Sequence, residues 1–485
     1  MSKGFDIKRW LLPGPAALAA LLIIAPAATA PLEANDLFFH LASGRWLLEH
    51  GSFPTTDPFS PTATAQAPHE WAWGVLCELS VRTLGGAGPK LLVSALVAAL
   101  FFALFRALDP RDEKKALVKL TLFGCALSTL SFTWYQERPY HLGHLMFVLW
   151  LLALRAWEED RTLKRAALVV GLSLAWANLH GSWPLGPAFL VASLIGHQIE
   201  GTNLDRRGAG LLLACIGVAA IHPGGVSNLL YPLQHQLLGS TQTIEEWRSL
   251  DFSFGFTWVL VVLAAGAVAS FVKKDARAWH VLLPALLLVA AAFWSRRHAP
   301  FAGIALAVAC ARLFEGPQPR VDAILNRWLG AANGFVWPAV LWIALAVGAA
   351  RTPRTVRESI HDGWYPIAGL DALTSRPPGR VLAKFEWGSV VSALGAGRYQ
   401  TFIDSRNDPY AANVHEAYAM MRTLKPGWKD KLAEFKPDYV LWGGVGRDFS
   451  WPLVWALEAE GWQRVAEDDV GVLLVRPPPS PPPAE

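Results

Sequence analysis

Long apolar runs separated by short polar stretches recur along the first 350 residues of this 485-residue chain. A helix needs about 17 to 25 residues to cross the hydrocarbon core of a bilayer, and shorter or tilted crossings occur. The pattern therefore predicts a polytopic α-helical membrane protein with about eleven transmembrane helices. They are expected near residues 10–30, 88–107, 117–135, 141–155, 165–179, 182–199, 208–222, 255–272, 279–295, 299–315 and 332–350.

The fifth and sixth runs are separated only by His180 and Gly181. Merging them would invert the orientation of every later helix, so the distribution of Lys and Arg is the useful test. With the N-terminus in the cytoplasm, twenty basic residues fall on the inner side and seven on the outer side before the last run. This excess favours an odd number of helices, a tight outward-facing turn at His180 and an extracytoplasmic C-terminus. The seven outer residues are Arg45, Arg82, Lys90, Arg138, Arg248, Arg296 and Arg297.

The first apolar run has a second interpretation. Residues 1–31 combine a basic start, an apolar stretch and an Ala-Thr-Ala ending, which also fits a cleaved signal peptide. Pro31 directly after that ending is unfavourable for cleavage, and the stretch is long for a signal peptide. Either interpretation leaves the following loop, residues 32–87, on the outer side.

The composition changes near Arg351 to that of a soluble domain. The segments RVLAKF, QTFIDS, DYVLWG and VGVLLVRP predict short buried strands, and residues 386–396, 410–423, 427–434 and 450–461 predict helices between them. Alternation of strands and helices indicates a small α/β domain with a largely parallel sheet. We therefore expect a membrane domain over 1–350, an extracytoplasmic domain over 351–476 and a disordered Pro-rich tail over 477–485.

Composition supports the membrane class and argues against a nucleic-acid-binding protein. Hydrophobic residues make up 53% of the chain and charged residues 17%, which is too apolar for a soluble protein of this length. The net charge of +4 is small and its Lys and Arg residues are dispersed. Nothing in this charge pattern indicates a nucleic-acid-binding surface.

Candidate chemistry concentrates in the first outer loop. Asp36, His40, Asp57, His69 and Glu70 lie within one segment at the predicted membrane surface, where ionisable groups usually serve a function. Asp36 and His40 are four residues apart, so they share one face of an interfacial helix that runs to His50. Asp36 is also expected to be the N-cap of that helix, since Asp is a preferred capping residue, and this role does not exclude catalysis.

Histidines are also concentrated on one side. Nine of the thirteen fall at or near the predicted outer face, whereas simple interface anchoring would populate both leaflets. The nine are His40, His50, His69, His141, His144, His180, His222, His235 and His298.

The chain as a whole resembles the GT-C superfamily of integral-membrane glycosyltransferases. The shared features are an apolar first run, an acid that opens an interfacial helix in the first outer loop, many further apolar runs and an outward-facing soluble domain. Within that superfamily the chain more closely resembles the bacterial dolichyl-phosphate-mannose and aminoarabinose transferase-like families. It also looks like a set of uncharacterised bacterial membrane proteins, through Asp36 with His40, Thr56 to Ser60, His69 to Trp71 and Phe402 to Arg406. WANLHG at 176–181 and HPGGVSNLLYP at 222–232 resemble recurrent segments of the same set.

The resemblance implies transfer of a sugar from a polyprenyl-phosphate carrier to a glycan, lipid or protein acceptor at the outer face of the bacterial inner membrane. Asp36 would be the general base for the acceptor hydroxyl, assisted by His40. The well-known transferases carry a second acid next to the first, where this chain has Leu37. No cofactor is required by this scheme, but a divalent metal, Mg or Mn, is conceivable at Asp36, His40, His69 and Glu70.

Further residues are predicted to line the site. The lipid phosphate needs cationic partners, for which Arg138, Arg296 and Arg297 are candidates, although arginines at helix ends also bind phospholipid headgroups. The predicted substrate cavity comprises Asp57, His69, Glu70, Asn178, His180, Tyr231 and Glu246. In the soluble domain Asp404, Arg406 and Asp408 follow a strand, where either a ligand site or a turn tied by an Asp–Arg pair is expected.

Two other function classes remain open at this stage. A flippase or transporter of lipid-linked saccharide would show inverted repeats with polar residues in mid-membrane, and neither is evident. A non-catalytic assembly protein of envelope polysaccharide would tolerate loss of Asp36 and His40. The oligomeric state, the sugar and the acceptor are not predicted.

Overall fold

A computed structural model describes residues 11–64, 70–108, 115–130, 136–202, 205–237, 245–273, 278–314, 322–331, 334–444 and 451–477. His69, Arg111, Lys114 and the Pro-rich end after residue 477 lie outside these ranges. The chain divides into two compact units. The first comprises 1–29 with 90–351, and the second comprises 30–89 with 352–485. The first outer loop thus belongs to the same unit as the C-terminal domain, and not to the helical unit.

The helices up to residue 351 are α1 (Pro15–Ala27), α2 (Asn35–His50), α3 (Trp71–Leu84), α4 (Gly88–Ala107), α5 (Ala116–Leu130), α6 (Tyr140–Asp160), α7 (Leu163–Leu179), α8 (Leu185–Ile199), α9 (Arg206–Val218), α10 (Ser227–Leu237), α11 (Gly255–Lys273), α12 (Trp279–Trp294), α13 (Ala299–Leu313), α14 (Asp322–Ala331) and α15 (Val336–Arg351). Short 3-10 turns occupy Gly85–Ala87, Glu245–Trp247 and Arg296–His298.

Every predicted apolar run coincides with one of these helices. The two runs around His180 are separate, because α7 ends at Leu179 and α8 begins at Leu185. Within the described ranges, two helical runs meet both the length and the apolarity of a single crossing, Trp71–Ala107 and Gly255–Lys273. Five further apolar helices are shorter than that criterion, so eleven crossings stay a prediction.

Helix α13 lies at the centre of the first unit. Its side chains are buried along almost its whole length, and it packs against α5, α11 and α12. A Cβ on Gly303 of α13 would lie 2.2 Å from the hydroxyl oxygen of Thr129 on α5. Glycine at that crossing lets the two helices approach closely, as small residues do between membrane helices.

The elements after residue 351 are α16 (Val356–Ser359), α17 (Ile367–Thr374), β1 (Gly379–Ala383), α18 (Phe385–Gly395), β2 (Tyr399–Thr401), α19 (Ala412–Thr423), α20 (Trp428–Phe435), β3 (Tyr439–Gly443), α21 (Trp451–Ala459), β4 (Gln463–Glu467) and β5 (Gly471–Val475). The predicted α/β domain is therefore present, and its four predicted helices and four predicted strands are found within a few residues of their expected positions.

The sheet has the strand order β2-β1-β3-β5-β4. β1 pairs in parallel with β2 and β3, but β5 pairs antiparallel with β3 and β4, so the expectation of a largely parallel sheet is wrong for half of it. β4 and β5 are joined by a turn around Asp468, which is too short for the crossover that parallel strands require. β4 escaped the sequence analysis because it is an exposed edge strand with four polar or exposed positions and no apolar run.

β3 is buried at all five positions and forms the centre of the domain. Its Val440 and Trp442 pack with Leu382 of β1, Leu474 of β5 and Leu457 of α21 in one hydrophobic core. Apolar burial on this scale supplies the main driving force for folding of the second unit.

Candidate functional site

Helices α2 and α3 of the second unit cross at two glycines. A Cβ on Gly44 would lie 2.0 Å from the carbonyl oxygen of Gly74, and a Cβ on Gly74 would lie 2.8 Å from the carbonyl oxygen of His40. Any larger residue would force the helices apart. The start of α3 is therefore held beside the second turn of α2.

This crossing positions two of the predicted site residues. His40 and Glu70 are both buried, and the Nε2 atom of His40 lies 3.7 Å from Oε2 of Glu70. Asp36 is half-buried one helical turn before His40. The face of α2 that carries Asp36 and His40 thus meets a second carboxylate from the start of α3.

Asp36 is not the N-cap of α2, so that expectation is wrong. The helix begins at Asn35 with Ala34 as its N-cap, and Asp36 occupies the first turn. The Asn35 side-chain oxygen accepts a hydrogen bond from the Asp36 backbone N–H at 3.0 Å. An acidic residue in the first turn still interacts favourably with the positive end of the helix dipole.

Asp57, Asp404 and Arg406 come together in one buried ion-pair network. Arg406 donates from Nη1 and Nη2 to the two Asp57 carboxylate oxygens, at 2.5 and 3.2 Å. It also donates from Nε to Oδ1 of Asp404 at 2.8 Å and from Nη2 to Oδ2 of Asp404 at 2.6 Å. The Oδ1 atom of Asp57 additionally accepts the backbone N–H groups of Phe59 and Ser60, both at 2.9 Å.

The electrostatics of this network hold the guanidinium in place. Burial by itself lowers the pKa of Arg406, but the carboxylates of Asp404 and Asp57 outweigh it and hold the pKa well above its ordinary value. The guanidinium also lies 4.9 Å from the centre of the Phe39 ring on α2. Both carboxylates accept hydrogen bonds from Arg406. Of the two expectations for this segment, a ligand site or a turn tied by an Asp–Arg pair, the geometry agrees with the second. Asp408 lies half-buried in the segment that leads from this network to α19.

Backbone hydrogen bonds extend the same junction. Thr401 of β2 donates to the carbonyl oxygen of Phe59 at 2.9 Å, and Thr64 donates to the carbonyl oxygen of Pro409 at 2.8 Å. The Ser60 hydroxyl donates to the carbonyl oxygen of Phe402 at 3.3 Å. Residues 59–64 of the first loop therefore run along the end of the C-terminal sheet.

In the first unit, the three predicted phosphate-binding arginines converge on the short turn Glu245–Trp247. Arg138 Nη1 donates to Oε2 of Glu246 at 2.9 Å, and Arg297 Nη1 lies 3.9 Å from Oε1 of the same carboxylate. Arg296 Nη2 lies 3.1 Å from Oε1 of Glu245. The structure thus brings Arg138, Arg296, Arg297 and Glu246 into one cluster, which we call the arginine cluster.

Aromatic rings pack against two of the three guanidinium groups. The Arg296 guanidinium lies 4.8 Å from the ring centre of Phe254, and that of Arg297 lies 4.4 Å from the ring centre of Trp247. Stacking on aromatic faces orients a guanidinium without consuming its N–H donors. The arginine cluster is therefore ordered by rings as well as by carboxylates.

The remaining predicted cavity residues of the first unit have local partners. Asn178 Nδ2 donates to the carbonyl oxygen of Ile221 at 3.0 Å, which links the end of α7 to the segment after α9. The Nδ1 atom of His180 would lie 2.6 Å from a Cβ on Gly143, so glycine there makes room for the imidazole beside α6. Tyr231 is half-buried in α10.

A buried ion pair and a buried carboxylate with two arginine partners were missed from the sequence. Lys90 and Glu137 form a fully buried pair in the first unit, and Glu78 accepts hydrogen bonds from Arg82 at 3.0 Å and Arg45 at 3.4 Å in the second. A charged residue inside an apolar run was the available signal for Lys90 and Glu78. Buried charges require partners, so each pair fixes the segments that carry it.

Solved structures with the same overall architecture exist. The chain matches the oligosaccharyltransferase of Archaeoglobus fulgidus in its apo form, with 13% identity, a TM-score of 0.56 and coverage of 88% of this chain and 69% of that one. The same archaeal enzyme, AglB, matches when solved with an inhibitory peptide and a dolichol-phosphate, with 11% identity, a TM-score of 0.56 and coverage of 88% and 68%. A third structure, in complex with Zn and sulfate, matches with 13% identity, a TM-score of 0.53 and coverage of 88% and 67%.

The chain shares the fold of these archaeal oligosaccharyltransferase structures. The likeness extends over 88% of the chain, although at this identity it concerns the fold alone. No protein-family profile and no curated protein matches the chain by sequence. This likeness supports the GT-C-like fold that the sequence predicts, whereas membership of the superfamily, the transferase subfamily and the bacterial branch stay predictions.

Proposed function

We propose that this protein is a GT-C membrane glycosyltransferase that moves a sugar from a polyprenyl-phosphate carrier to an acceptor at the outer face of the bacterial inner membrane. The observation that carries the proposal is the GT-C fold combined with an acid, Asp36, in the first turn of the helix that opens the first outer loop. One similar structure holds a dolichol-phosphate and an inhibitory peptide, which is in keeping with a lipid-linked donor and a separate acceptor.

Asp36 is the proposed general base. A sugar hydroxyl is a weak nucleophile, and a carboxylate within reach must accept its proton as the new glycosidic bond forms. Asp36 is half-buried, so its carboxylate is accessible to a substrate from one side. His40, one turn further along α2, and Glu70, directly before α3, lie 3.7 Å apart and would orient the acceptor hydroxyl.

The arginine cluster is the proposed binding site for the donor phosphate. Guanidinium groups bind phosphate oxygens through paired hydrogen bonds, and the leaving lipid phosphate carries the charge that builds up during transfer. Glu246 now occupies donors of Arg138 and Arg297, so a phosphate would compete with that carboxylate. Asn178, His180 and Tyr231 are proposed to line the same substrate cavity.

We keep a divalent metal at Asp36, His40, His69 and Glu70 as part of the proposal. An imidazole nitrogen and a carboxylate oxygen 3.7 Å apart, from His40 and Glu70, are close enough to share one ion. Asp36 does not lie at ligand spacing from both of them, and His69 is outside the described residues. One similar structure was solved with Zn and sulfate. When bound, such an ion would supply positive charge that stabilises a negatively charged group of the substrate. Loss of transfer after treatment with EDTA, restored by Mg, Mn or Zn, would test this part of the proposal.

Asp57, Asp404 and Arg406 are proposed to act through position and not through substrate contact. Their charges are satisfied within one buried network that joins the first loop to the C-terminal sheet. The C-terminal domain would therefore hold the first loop, and with it Asp36, in a fixed conformation. We propose that this domain lies in the periplasm, as the distribution of basic residues indicates.

The proposal is tested by transfer assays on purified protein in lipid. Radiolabelled polyprenyl-phosphate sugars are offered one at a time with an envelope extract as the source of acceptor. Transfer of label from one donor class by the wild type, and none by heat-inactivated protein, supports the proposal. Binding of lipid-linked sugar without transfer from any donor contradicts it, and would favour a saccharide transporter or an assembly protein.

A further inference from the structure

Helices α8 and α12 of the first unit pack tightly where α8 ends and α12 begins. A Cβ on Gly196 would lie 2.4 Å from the backbone nitrogen of His280, so the two backbones touch at a position that only glycine permits. This contact brings the last turn of α8, with His197, and the residue after it, Glu200, next to the first turn of α12.

Three potential metal ligands meet at this contact. His197 and Glu200 are three residues apart, and His197 Nδ1 lies 3.4 Å from Oε2 of Glu200. His280 Nδ1 lies 2.8 Å from Oε1 of Glu200. One ligand atom from each residue falls within 4.8 Å of the other two, and this is the one such group of three among the described residues.

The two imidazole rings face the same carboxylate in parallel. Their centres are 4.3 Å apart with an angle of 8° between the planes. A transition-metal ion binds imidazole in its neutral form, so the approach of the two rings is compatible with both of them acting as ligands.

We propose that His197, Glu200 and His280 form a binding site for a zinc-like divalent transition-metal ion that joins α8 to α12. Ligands about 2.0–2.2 Å from a tetrahedral Zn²⁺ are about 3.3–3.6 Å from each other, and the three ligand atoms here lie within 4.8 Å of one another. Imidazole donors favour Zn²⁺ over Mg²⁺ or Ca²⁺. The three side chains are between 11% and 24% exposed, so the ion can enter from solvent and the fourth position stays open to water.

This site is separate in sequence and in residues from the one proposed around Asp36. It does not depend on glycosyl transfer, because its ligands belong to the helical unit and none of them is proposed to touch the donor or the acceptor. The Glu200 carboxylate also accepts the backbone N–H of His280 at 2.8 Å, so it caps α12 even without metal. A test must therefore measure metal binding, and not folding alone.

The experiment uses the full-length protein in detergent, stripped with EDTA and titrated with Zn²⁺ against a chromophoric chelator, and with Co²⁺ followed by visible absorption. We expect binding with a tetrahedral Co²⁺ spectrum. Glu200→Gln keeps an oxygen for the His280 N–H but lacks the charge, and His197→Ala lacks one imidazole. Both should weaken binding by at least about 100-fold, the upper end of what loss of a supporting partner costs.

Two controls separate this site from others. His361→Ala removes a histidine beside Asp362 that has no third ligand among the described residues, and binding should be unchanged. His40→Ala removes a ligand of the first-loop candidate site, so Co²⁺ absorption that persists in this variant and is lost in Glu200→Gln belongs to the site between α8 and α12. Equal Zn²⁺ affinity in wild type and Glu200→Gln, or no binding by the wild type, would overturn the proposal.

Discussion

Replacement of Asp57 by Ala tests whether the ion-pair network fixes the first loop. The change removes both hydrogen bonds from Arg406 to this carboxylate and the acceptor for two backbone N–H groups. Removing one partner of a buried ion pair costs about 3–5 kcal/mol. Asp404 still neutralises Arg406, so we expect about 3 kcal/mol, the lower end of that range.

The assay is thermal unfolding of the full-length protein in detergent, followed by tryptophan fluorescence. For domains of about 150 to 250 residues, 1 kcal/mol corresponds to about 2–4 °C, so the unfolding temperature of the second unit should fall by about 6–12 °C. Asp57→Asn retains an oxygen for the Phe59 and Ser60 N–H groups and should lose about half as much.

A double-mutant cycle identifies the partner. Arg406→Met leaves Asp57 and Asp404 as buried carboxylates without their cation, so it should destabilise more than Asp57→Ala. The combination of Asp57→Asn with Arg406→Met should be less harmful than the sum of the single changes by about 1–3 kcal/mol, the coupling found for residues in contact. Additive effects, or an unfolding temperature for Asp57→Ala within about 1 °C of wild type, would refute this account of the junction.

Three further outcomes follow from the geometry. Gly44→Ala should destabilise the second unit by about 1–3 kcal/mol in the same assay, because its Cβ meets the backbone of α3. Gly171→Ala has open space around its Cβ and should be neutral or stabilising, so equal effects of the two substitutions would contradict the close helix crossing. Arg138→Gln should raise the donor KM by about 10- to 100-fold with a smaller change in kcat, and an unchanged KM would exclude a phosphate contact. Burial raises the pKa of Tyr410 well above its ordinary value, so the folded state keeps a proton that the unfolded chain loses above about pH 10. The unfolding temperature should therefore fall more steeply with rising pH in wild type than in Tyr410→Phe, and parallel curves of unfolding temperature against pH would contradict this.

The helices and the domain type could be predicted because their signals are local. Each apolar run forms a helix, and the strands of the C-terminal domain are short buried segments bounded by polar residues. β4 could not be found in this way because it is exposed. The antiparallel half of the sheet depends on a short turn at Asp468, and the pattern of apolar residues does not predict the geometry of that turn.

The candidate site was predictable residue by residue but not as contacts. Asp57 and Arg406 were both singled out, yet they are 349 residues apart, and nothing in either segment states that one pairs with the other. The three arginines that meet at Glu245–Trp247 were also singled out individually, but their common partner could not be predicted from the sequence. His197, Glu200 and His280 were not selected, because their grouping depends on how α8 and α12 pack.

The central claim is that Asp36 accepts a proton during sugar transfer. The direct measurement is the initial rate of transfer from the active polyprenyl-phosphate donor by wild type, Asp36→Asn and Asp362→Asn, each shown to be folded by its unfolding temperature. Asp362 is 95% exposed, so it gives the same chemical change at a carboxylate in open solvent. The account predicts that Asp36→Asn slows transfer by about 10²- to 10⁴-fold with donor binding retained, while Asp362→Asn is normal. Equal rates for wild type and Asp36→Asn would contradict it.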